Sequence, residues 1–228
     1  MSLDAASFRP IRSFVRRRGR MTTAQRSALE NLWSIYGLDS SRAFDSAQSF
    51  GRIAPLVIEI GFGNGDNLAD YAEKYPEINY LGIEVHEPGI GHLMNRLDQR
   101  AIQNVRLFRG DAIEILRDRI EDASVEAIKL LFPDPWPKKR HHKRRLVSAE
   151  FARLIARKLR SGGVFHAATD WSDYANQILR IMEACEDFGE LGGSCASQGF
   201  RSERTMTRFE RRGIGLGHQV SDLIFIRR

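Results

Sequence analysis

Apolar residues along this chain form short continuous runs, and stretches of helical periodicity separate them. Five runs predict buried strands, at residues 56–60, 79–84, 105–108, 127–132 and 164–169. The periodic stretches predict helices at residues 67–74, 88–100, 112–119, 148–159 and 172–184. Two later β segments are predicted near residues 199–201 and 220–226. Strands that alternate with helices are typical of an α/β fold with a doubly wound, mostly parallel sheet, here of seven strands.

The first 50 residues are predicted to form a basic N-terminal extension with one helix, and residues 51–228 to form a single domain. Thr22 or Thr23 can cap that helix, which we expect to run to Tyr36 and to end at Gly37. Residues 38–54 are polar and predict a loop. A chain of 228 residues, 42% of them hydrophobic, is long enough to bury a substantial core.

The net charge of +6 is clustered rather than spread along the chain. Basic residues concentrate at positions 9–20, 138–145 and 201–212. Clusters of this kind indicate a nucleic acid or an anionic membrane as a partner. No apolar run reaches transmembrane length, and no apolar stretch follows the basic N-terminus as in a secretory signal. We therefore expect a cytoplasmic protein without a membrane partner, in which the two cysteines are free thiols.

A glycine-rich turn follows the first predicted strand, with Gly61, Gly63 and Gly65 at alternate positions. Glycines at such a turn allow the backbone to approach a ligand closely. A dinucleotide fingerprint would require a glycine at position 66, but this residue is Asp66. An acid at a helix start also disfavours a pyrophosphate. The turn therefore predicts a ligand without phosphates and disfavours a nicotinamide-dependent oxidoreductase.

Three carboxylates lie in or at the ends of consecutive predicted strands. Glu84 ends the second strand, where an acid can bind the hydroxyls of a ribose, and Asp111 follows the third, where it can accept from an adenine amino group. Glu59 lies inside the first strand and can face a cationic amino group. Each acid alone could be a capping or solvated carboxylate. Together they match S-adenosylmethionine.

The segment that follows the fourth strand combines a rigid turn with a dense basic run. Asp134 lies between two prolines, which restrict its backbone. Six Lys or Arg and two His fill the eight positions 138–145. Trp136 can stack on a base or pack beneath the turn. His141 and His142 have no further ligand at suitable spacing, so we predict no metal site.

These segments resemble the bacterial tRNA (guanine-N7)-methyltransferase family, and the resemblance covers residues 11–226. The Pro-Asp-Pro-Trp-Pro block with its basic tail is the most specific match. Ser221 departs from the family pattern, because a larger aromatic residue is expected there. The matching blocks are VIEIGFGNG at 57–65, YLGIEVHEPGI at 80–90, FPDPWPKKRHHKRRL at 132–146, TD at 169–170, TRFERRG at 207–213, GH at 217–218 and DLIF at 222–225, together with the N-terminal RSFVRRRGRMT at 12–22.

The resemblance implies a Rossmann-like class I methyltransferase fold. It also implies methyl transfer from S-adenosylmethionine, leaving S-adenosylhomocysteine, to N7 of guanine 46 in the variable loop of tRNA. The cofactor residues are Glu59, Gly61, Gly63, Gly65, Glu84, Asp111 and Asp134. The residues for the tRNA substrate are Lys138, Asp170, Thr207, Arg208, Phe209 and Glu210, and the RNA-interaction run is Arg140, His141, His142, Lys143, Arg144 and Arg145. We expect tRNA as the partner, no obligate protein partner, and a monomer or weak homodimer.

The reaction itself makes few demands on the protein, because guanine N7 carries a lone pair and no proton. It needs alignment and a site that tolerates a cationic base. Asp134 is the first candidate for the catalytic carboxylate, with Asp170 in support. Either could instead accept from the base's N1–H or amino group, and Asp170 could also be a helix cap. The different-class alternative is an RNA-binding protein that has lost catalysis, which the intact turn and acids disfavour.

Overall fold

The computed structural model describes residues 20–189 and 219–228. Six strands are present within them: β1 Leu56–Ile60, β2 Asn79–Glu84, β3 Val105–Arg109, β4 Val125–Leu131, β5 Leu159–Thr169 and β6 Ser221–Ile226. They form one sheet in the order β3-β2-β1-β4-β5-β6, parallel except for the antiparallel β6. The prediction of a doubly wound, mostly parallel sheet is confirmed. The described residues supply six strands rather than seven, and the segment near 199–201 lies outside them.

Helices cover both faces of this sheet. They are α1 Thr23–Asn31, α2 Trp33–Tyr36, α3 Ser46–Phe50, α4 Asp66–Lys74, α5 Glu87–Gln99, α6 Ala112–Arg119, α7 Ala149–Lys158 and α8 Ser172–Glu183, with a 3₁₀ helix at Lys139–Arg144. Core residues of α6, α7 and α8 pack on one face, and those of α1, α4 and α5 on the other. Within the described residues, no helix is long and apolar enough to cross a lipid bilayer.

Side chains of β1 alternate between these two faces, as in any strand. Ile58 and Ile60 belong to the core under α6, α7 and α8, whereas Val57 belongs to the opposite core. Glu59 therefore points to the face that α4 and α5 cover. This places a carboxylate inside an otherwise apolar layer, close to the glycine-rich turn.

The N-terminal segment contains more helix than the sequence predicts. Thr22 caps α1, since its hydroxyl accepts from the Gln25 amide at 3.2 Å while the Gln25 side chain accepts from the Thr22 amide at 2.9 Å. Leu32 separates α1 from α2, and Gly37 caps the C-terminus of α2 as expected. The short helix α3 lies in the segment predicted to be a loop, because five residues are too few to show periodicity. The domain division at residue 50 stays a prediction.

The boundary between α7 and β5 also differs from the prediction. The helix ends at Lys158 and β5 begins at Leu159, five residues before the predicted strand start at 164, so Gly162 and Gly163 lie inside the strand. A Cβ added at Gly163 would lie 2.8 Å from the Arg160 carbonyl oxygen and 3.2 Å from that of Val125 in β4. The pairing of β4 with β5 shifts register at this point. The glycines therefore accommodate an irregularity between two strands that approach closely.

Candidate active site

The carboxyl ends of the parallel strands meet at one edge of the sheet, and the glycine-rich turn opens there. Gly61 and Gly63 adopt left-handed conformations with φ of 67° and 59°, and a Cβ at either position would enter open space. Their backbone therefore leaves open space that a ligand can approach. Gly65 differs, because a Cβ there would lie 2.7 Å from the Leu93 side chain. Its role in the structure is the close packing of α4 on α5.

Glu84 is held rigidly at the end of β2. One carboxylate oxygen, Oε2, accepts from the Gly63 amide at 2.9 Å, and Oε1 accepts from the amides of Val85 at 2.6 Å and His86 at 2.9 Å. The side chain is buried. These bonds join the glycine turn to the end of the neighbouring strand and fix an anionic group at the position where a ribose is expected.

A buried charged cluster lies beneath the turn. Glu59 is 3% exposed, its Oε2 accepts from Asn67 Nδ2 at 2.9 Å, and its partner in the β1–β4 register is Lys129. The Lys129 ammonium lies 3.2 Å from the centre of the Tyr71 ring. Burial raises the pKa of the Glu59 carboxyl, against the opposing effects of Lys129 and the Asn67 hydrogen bond. Burial lowers the pKa of Lys129 to about 8, against the attraction of Glu59.

Asn67 is a site residue that the sequence reasoning missed. Its Oδ1 is buried and has no hydrogen-bond partner among the described residues. A buried acceptor without a partner costs free energy, so a ligand that donates a hydrogen bond to this oxygen would remove that cost. Asn67 is eight residues from Glu59 and on another element. The sequence offers no signal for that contact beyond the position of Asn67 at the start of the helix after the turn.

Asp111 acts as a helix cap, one of the roles that its position in the sequence allows. It is the N-cap of α6, and its Oδ1 accepts from the Ile113 amide at 2.9 Å. The residue is half-buried and follows β3 at the same edge as Glu84. Capping fixes the orientation of the carboxylate and is compatible with its predicted contact to a base. Asp66 begins α4 and forms an ion pair with Arg96, and its unfavourable effect on a pyrophosphate stays a prediction.

The proline-rich turn that follows β4 has an unusual backbone. Phe132 and Trp136 adopt positive φ values of 52° and 46°, which non-glycine residues rarely do. The Phe132 amide donates to the Ala168 carbonyl of β5 at 2.7 Å. Asp134 is exposed at the top of this turn, and Asp170 directly follows β5. The two acids thus follow neighbouring parallel strands at the same edge. The N-cap of α8 is Trp171, so Asp170 is not the cap.

The basic run forms the 3₁₀ helix, and its members differ in exposure. Lys138, Arg140 and Lys143 are exposed. The Arg144 guanidinium carbon lies 4.9 Å from the centre of the Trp136 ring, and the His141 ring meets that ring edge-on at 5.8 Å. Trp136 therefore packs against the run, which supports the packing alternative over base stacking. His142 is half-buried beside the run.

Arg145 departs from the predicted RNA-interaction run, because its side chain is only 1% exposed and its guanidinium is hydrogen-bonded within the protein. In this conformation it cannot contact a phosphate. The predicted substrate residues Thr207, Arg208, Phe209 and Glu210 lie outside the described residues. In residues 20–189 and 219–228, no three His, Cys, Asp or Glu side chains are grouped as metal ligands.

Comparison with known proteins first defines the class. The family described as "Putative methyltransferase" matches residues 53–223. Among solved structures, 16S rRNA methyltransferase KamB matches with a TM-score of 0.58 and 14% identity, covering 82% of this chain and 94% of that one. The 30S ribosomal A1408 methyltransferase from an uncultured bacterium matches with a TM-score of 0.56 and 13% identity, covering 82% and 96% of the two chains. These likenesses show the class I methyltransferase fold.

Sequence relatives narrow the class to a family. The tRNA (guanine-N(7)-)-methyltransferase of Methylococcus capsulatus is 53% identical over 225 residues, which are 99% of this chain and 97% of the relative. The protein of the same description from Alkalilimnicola ehrlichii is 51% identical over 231 residues, covering 99% and 96% of the two chains. The chain belongs to the bacterial tRNA (guanine-N7)-methyltransferase family, as its motifs predict.

Proposed function

We propose that this protein transfers the methyl group of S-adenosylmethionine to N7 of guanine 46 in the variable loop of tRNA. The observation that carries the proposal is the juxtaposition, at one sheet edge, of the open glycine-rich turn with Glu84 and a second turn with an exposed carboxylate, Asp134, followed by a basic helix. The printed activity of relatives about half identical in sequence supports the tRNA guanine-N7 reaction.

The residues of the pocket fit the cofactor by chemistry. The open surface at Gly61 and Gly63 accommodates a ligand against the backbone. Glu84 would accept from the ribose hydroxyls, because its two oxygens are fixed at the strand end. Asp111 would accept from the adenine amino group. When bound, S-adenosylmethionine supplies a methyl group activated by a sulfonium.

The buried cluster fits the cationic end of the same cofactor. The Glu59 carboxyl group points toward the α4 face, and the unpartnered Oδ1 of Asn67 is an acceptor beside it. An ammonium is a donor with three hydrogens, so it would satisfy the orphan oxygen and the carboxylate together. We therefore add Asn67 to the proposed cofactor residues.

The substrate half of the site would recognise the base and the RNA backbone. Guanine N7 needs no base to remove a proton, so the contribution of Asp134 is to stabilise the positive charge that develops on the guanine. Asp170 and Lys138 lie at the same edge and would orient the nucleotide. The exposed cations Arg140 and Lys143 would contact phosphates. The proposal also assigns substrate contacts to residues 207–210.

The decisive experiment maps 7-methylguanosine after incubation of the protein with S-adenosylmethionine and a tRNA transcript. The expected product carries one new 7-methylguanosine, at position 46. A transcript with adenine at position 46 is the matched control and should remain unmodified. Methylation at another guanine would overturn the assignment of the position, and the absence of any methyl transfer would overturn the enzymatic function.

The proposal includes a cytoplasmic location, where tRNA is available, and action as a monomer or weak homodimer without an obligate protein partner. Sedimentation of the purified protein over a range of concentrations tests the oligomeric state. Activity of the purified chain alone tests the independence from a partner.

A further inference from the structure

The last arginine of the basic run is bonded to two other elements of the protein. Arg145 Nε donates to the Pro135 carbonyl oxygen at 2.8 Å, Nη1 donates to Gln177 Oε1 at 2.7 Å, and Nη2 donates to Asp173 Oδ2 at 2.7 Å. The guanidinium carbon lies 4.8 Å from the centre of the Tyr174 ring. With its side chain 1% exposed, Arg145 is inside the protein, whereas Lys138, Arg140 and Lys143 of the same run are exposed.

These contacts connect the proline-rich turn with the first turns of α8. Pro135 directly follows Asp134, and Asp173 lies three residues after Asp170. The guanidinium therefore lies between the segments that carry the two acids of the substrate half. A planar guanidinium carries its donors on three nitrogens in fixed directions, and here a different nitrogen bonds to each of Pro135, Gln177 and Asp173. An ammonium has all three donors on one nitrogen and cannot reproduce this arrangement of bonds.

The turn needs such support, because its backbone is strained. Phe132 and Trp136, on either side of the three residues Pro133, Asp134 and Pro135, have positive φ. Conformations of this kind persist only where the surrounding structure holds them, and they concentrate at functional sites. The prolines at positions 133 and 135 have no amide hydrogen, so the turn has few backbone donors with which to hold itself.

We propose that Arg145 is a positioning residue for methyl transfer: it fixes the Pro133–Pro137 turn against α8 so that Asp134 is held opposite Asp170. It does not bind RNA phosphate. The inference rests on the proposed function. It separates Arg145 from Lys143 and Arg144, which belong to the same basic run in sequence and to the RNA surface in space.

Steady-state kinetics with tRNA distinguishes positioning from RNA binding. Arg145→Ala should lower kcat at least tenfold at saturating tRNA and cofactor, while KM for tRNA changes less than threefold and the salt dependence of tRNA binding is that of the parent. Arg145→Lys keeps the positive charge but loses the planar set of guanidinium donors, so it should lower kcat as much as Arg145→Ala does. Lys143→Ala should behave in the opposite way, with a higher KM and a salt slope lower by about one.

Substitutions of the two α8 residues that accept hydrogen bonds from Arg145 test the same contacts without removing a cation. Asp173→Asn and Gln177→Ala should each lower kcat by a few fold with little effect on tRNA affinity, because they loosen the guanidinium. Arg153→Ala, which removes an exposed arginine of α7, is the control for charge. If Arg145→Ala instead weakened tRNA binding and its salt slope while kcat held, and Arg145→Lys restored the parent, Arg145 would be an RNA ligand and the proposal would fail.

Hydrogen exchange separates this inference from the proposed function. The amide of Phe132, which donates to the Ala168 carbonyl oxygen, should exchange at least tenfold faster in Arg145→Ala than in the parent, whereas the amides of β1 and β2 should not change. This readout needs no methyl transfer, so an inactive parent would overturn the proposed function and leave the positioning test intact. If Arg145→Ala does not fold, the exchange rates of Asp173→Asn and Gln177→Ala decide. Unchanged exchange in the variants that fold would overturn the positioning role.

Discussion

The two halves of the sheet's carboxyl edge are built by different means. In the cofactor half, after β1, β2 and β3, the acids bond to amides close by: Glu84 to those of Val85 and His86, and Asp111 to that of Ile113. In the substrate half, after β4 and β5, the turn is held from a distance. Arg145 is 10 residues from Pro135 and 28 from Asp173. Local bonds to nearby amides hold the acids of the first half, together with one longer bond from the Gly63 amide to Glu84, whereas long-range side-chain contacts hold the second.

This difference has a consequence for substitutions. An acid of the cofactor half is part of the backbone structure around it, so its removal should affect both binding and local packing. Asp134 is exposed on a turn that other residues hold, so its removal should leave the fold intact and affect only the chemistry.

The largest effect is expected for Asp134. Asp134→Ala and Asp134→Asn should each lower kcat about 100-fold or more, roughly 2.7 kcal/mol of transition-state stabilisation, because both remove the negative charge that we propose stabilises the cationic guanine. Binding of tRNA should stay within threefold of the parent, as measured by filter binding. Asp118→Ala, which removes an exposed aspartate of α6, is the control. Activity of either Asp134 variant within threefold of the parent would refute the catalytic assignment.

A smaller effect, on binding, is expected for Glu84. Glu84→Gln keeps the shape but loses the charge, and it should weaken S-adenosylhomocysteine binding by about tenfold, or ~1.4 kcal/mol, in calorimetry. The melting temperature should also fall, because the bonds to three amides weaken. Affinity for tRNA should change little. Glu87→Gln, an exposed glutamate three positions later, is the matched control, and equal cofactor affinity in both variants would exclude Glu84 from the pocket.

The sequence predicts the cofactor half better than the substrate half, because the contacts of the cofactor half are mostly between residues close in sequence. The bounds of β2 and α6 agree with the predicted ones. Glu84 ends β2 and Asp111 follows β3 as expected, because apolar runs and capping residues are local signals. Asn67 was missed, since its contact with Glu59 depends on how α4 packs on β1. Arg145 was assigned to the RNA surface, since a run of cations does not reveal which member turns inward.

Substitutions in the basic run distinguish cations that bind RNA from Arg145, which holds the proline-rich turn. Lys143→Ala combined with Arg144→Ala should reduce tRNA affinity by roughly fivefold at moderate salt and flatten the salt slope by about two, because two counterion-releasing contacts are lost. Arg145 is kept in this variant, so kcat at saturating tRNA should be retained better than in Arg145→Ala. The control is Arg153→Ala combined with Arg157→Ala on α7, which removes two exposed cations elsewhere. If the two pairs gave equal salt slopes, the 3₁₀ helix would not be part of the RNA surface.

The smallest effect is expected in the buried pair of the cofactor half, and it concerns stability against pH. Burial lowers the pKa of Lys129 to about 8, below its value in the unfolded chain. Between these values the folded protein binds fewer protons than the unfolded one, so the free energy of unfolding contributed by Lys129 rises with pH. Lys129→Met removes this rise. It also leaves Glu59 without a counter-charge, which raises the pKa of that carboxyl further and makes the variant lose stability as pH increases.

The Lys129 contribution acts between its folded and unfolded pKa values, so the difference in unfolding free energy between the parent and Lys129→Met should grow from pH 8 to pH 9.5, by about 1 kcal/mol. Urea denaturation of the cofactor-free proteins at several pH values measures it. Lys74→Met, which removes an exposed lysine of α4, should keep the pH dependence of the parent. A difference that stays constant or shrinks with pH would mean that the Lys129 ammonium is stabilised by its surroundings as fully as by water. The buried pair of Lys129 and Glu59 would then contribute no pH dependence to the stability of the protein.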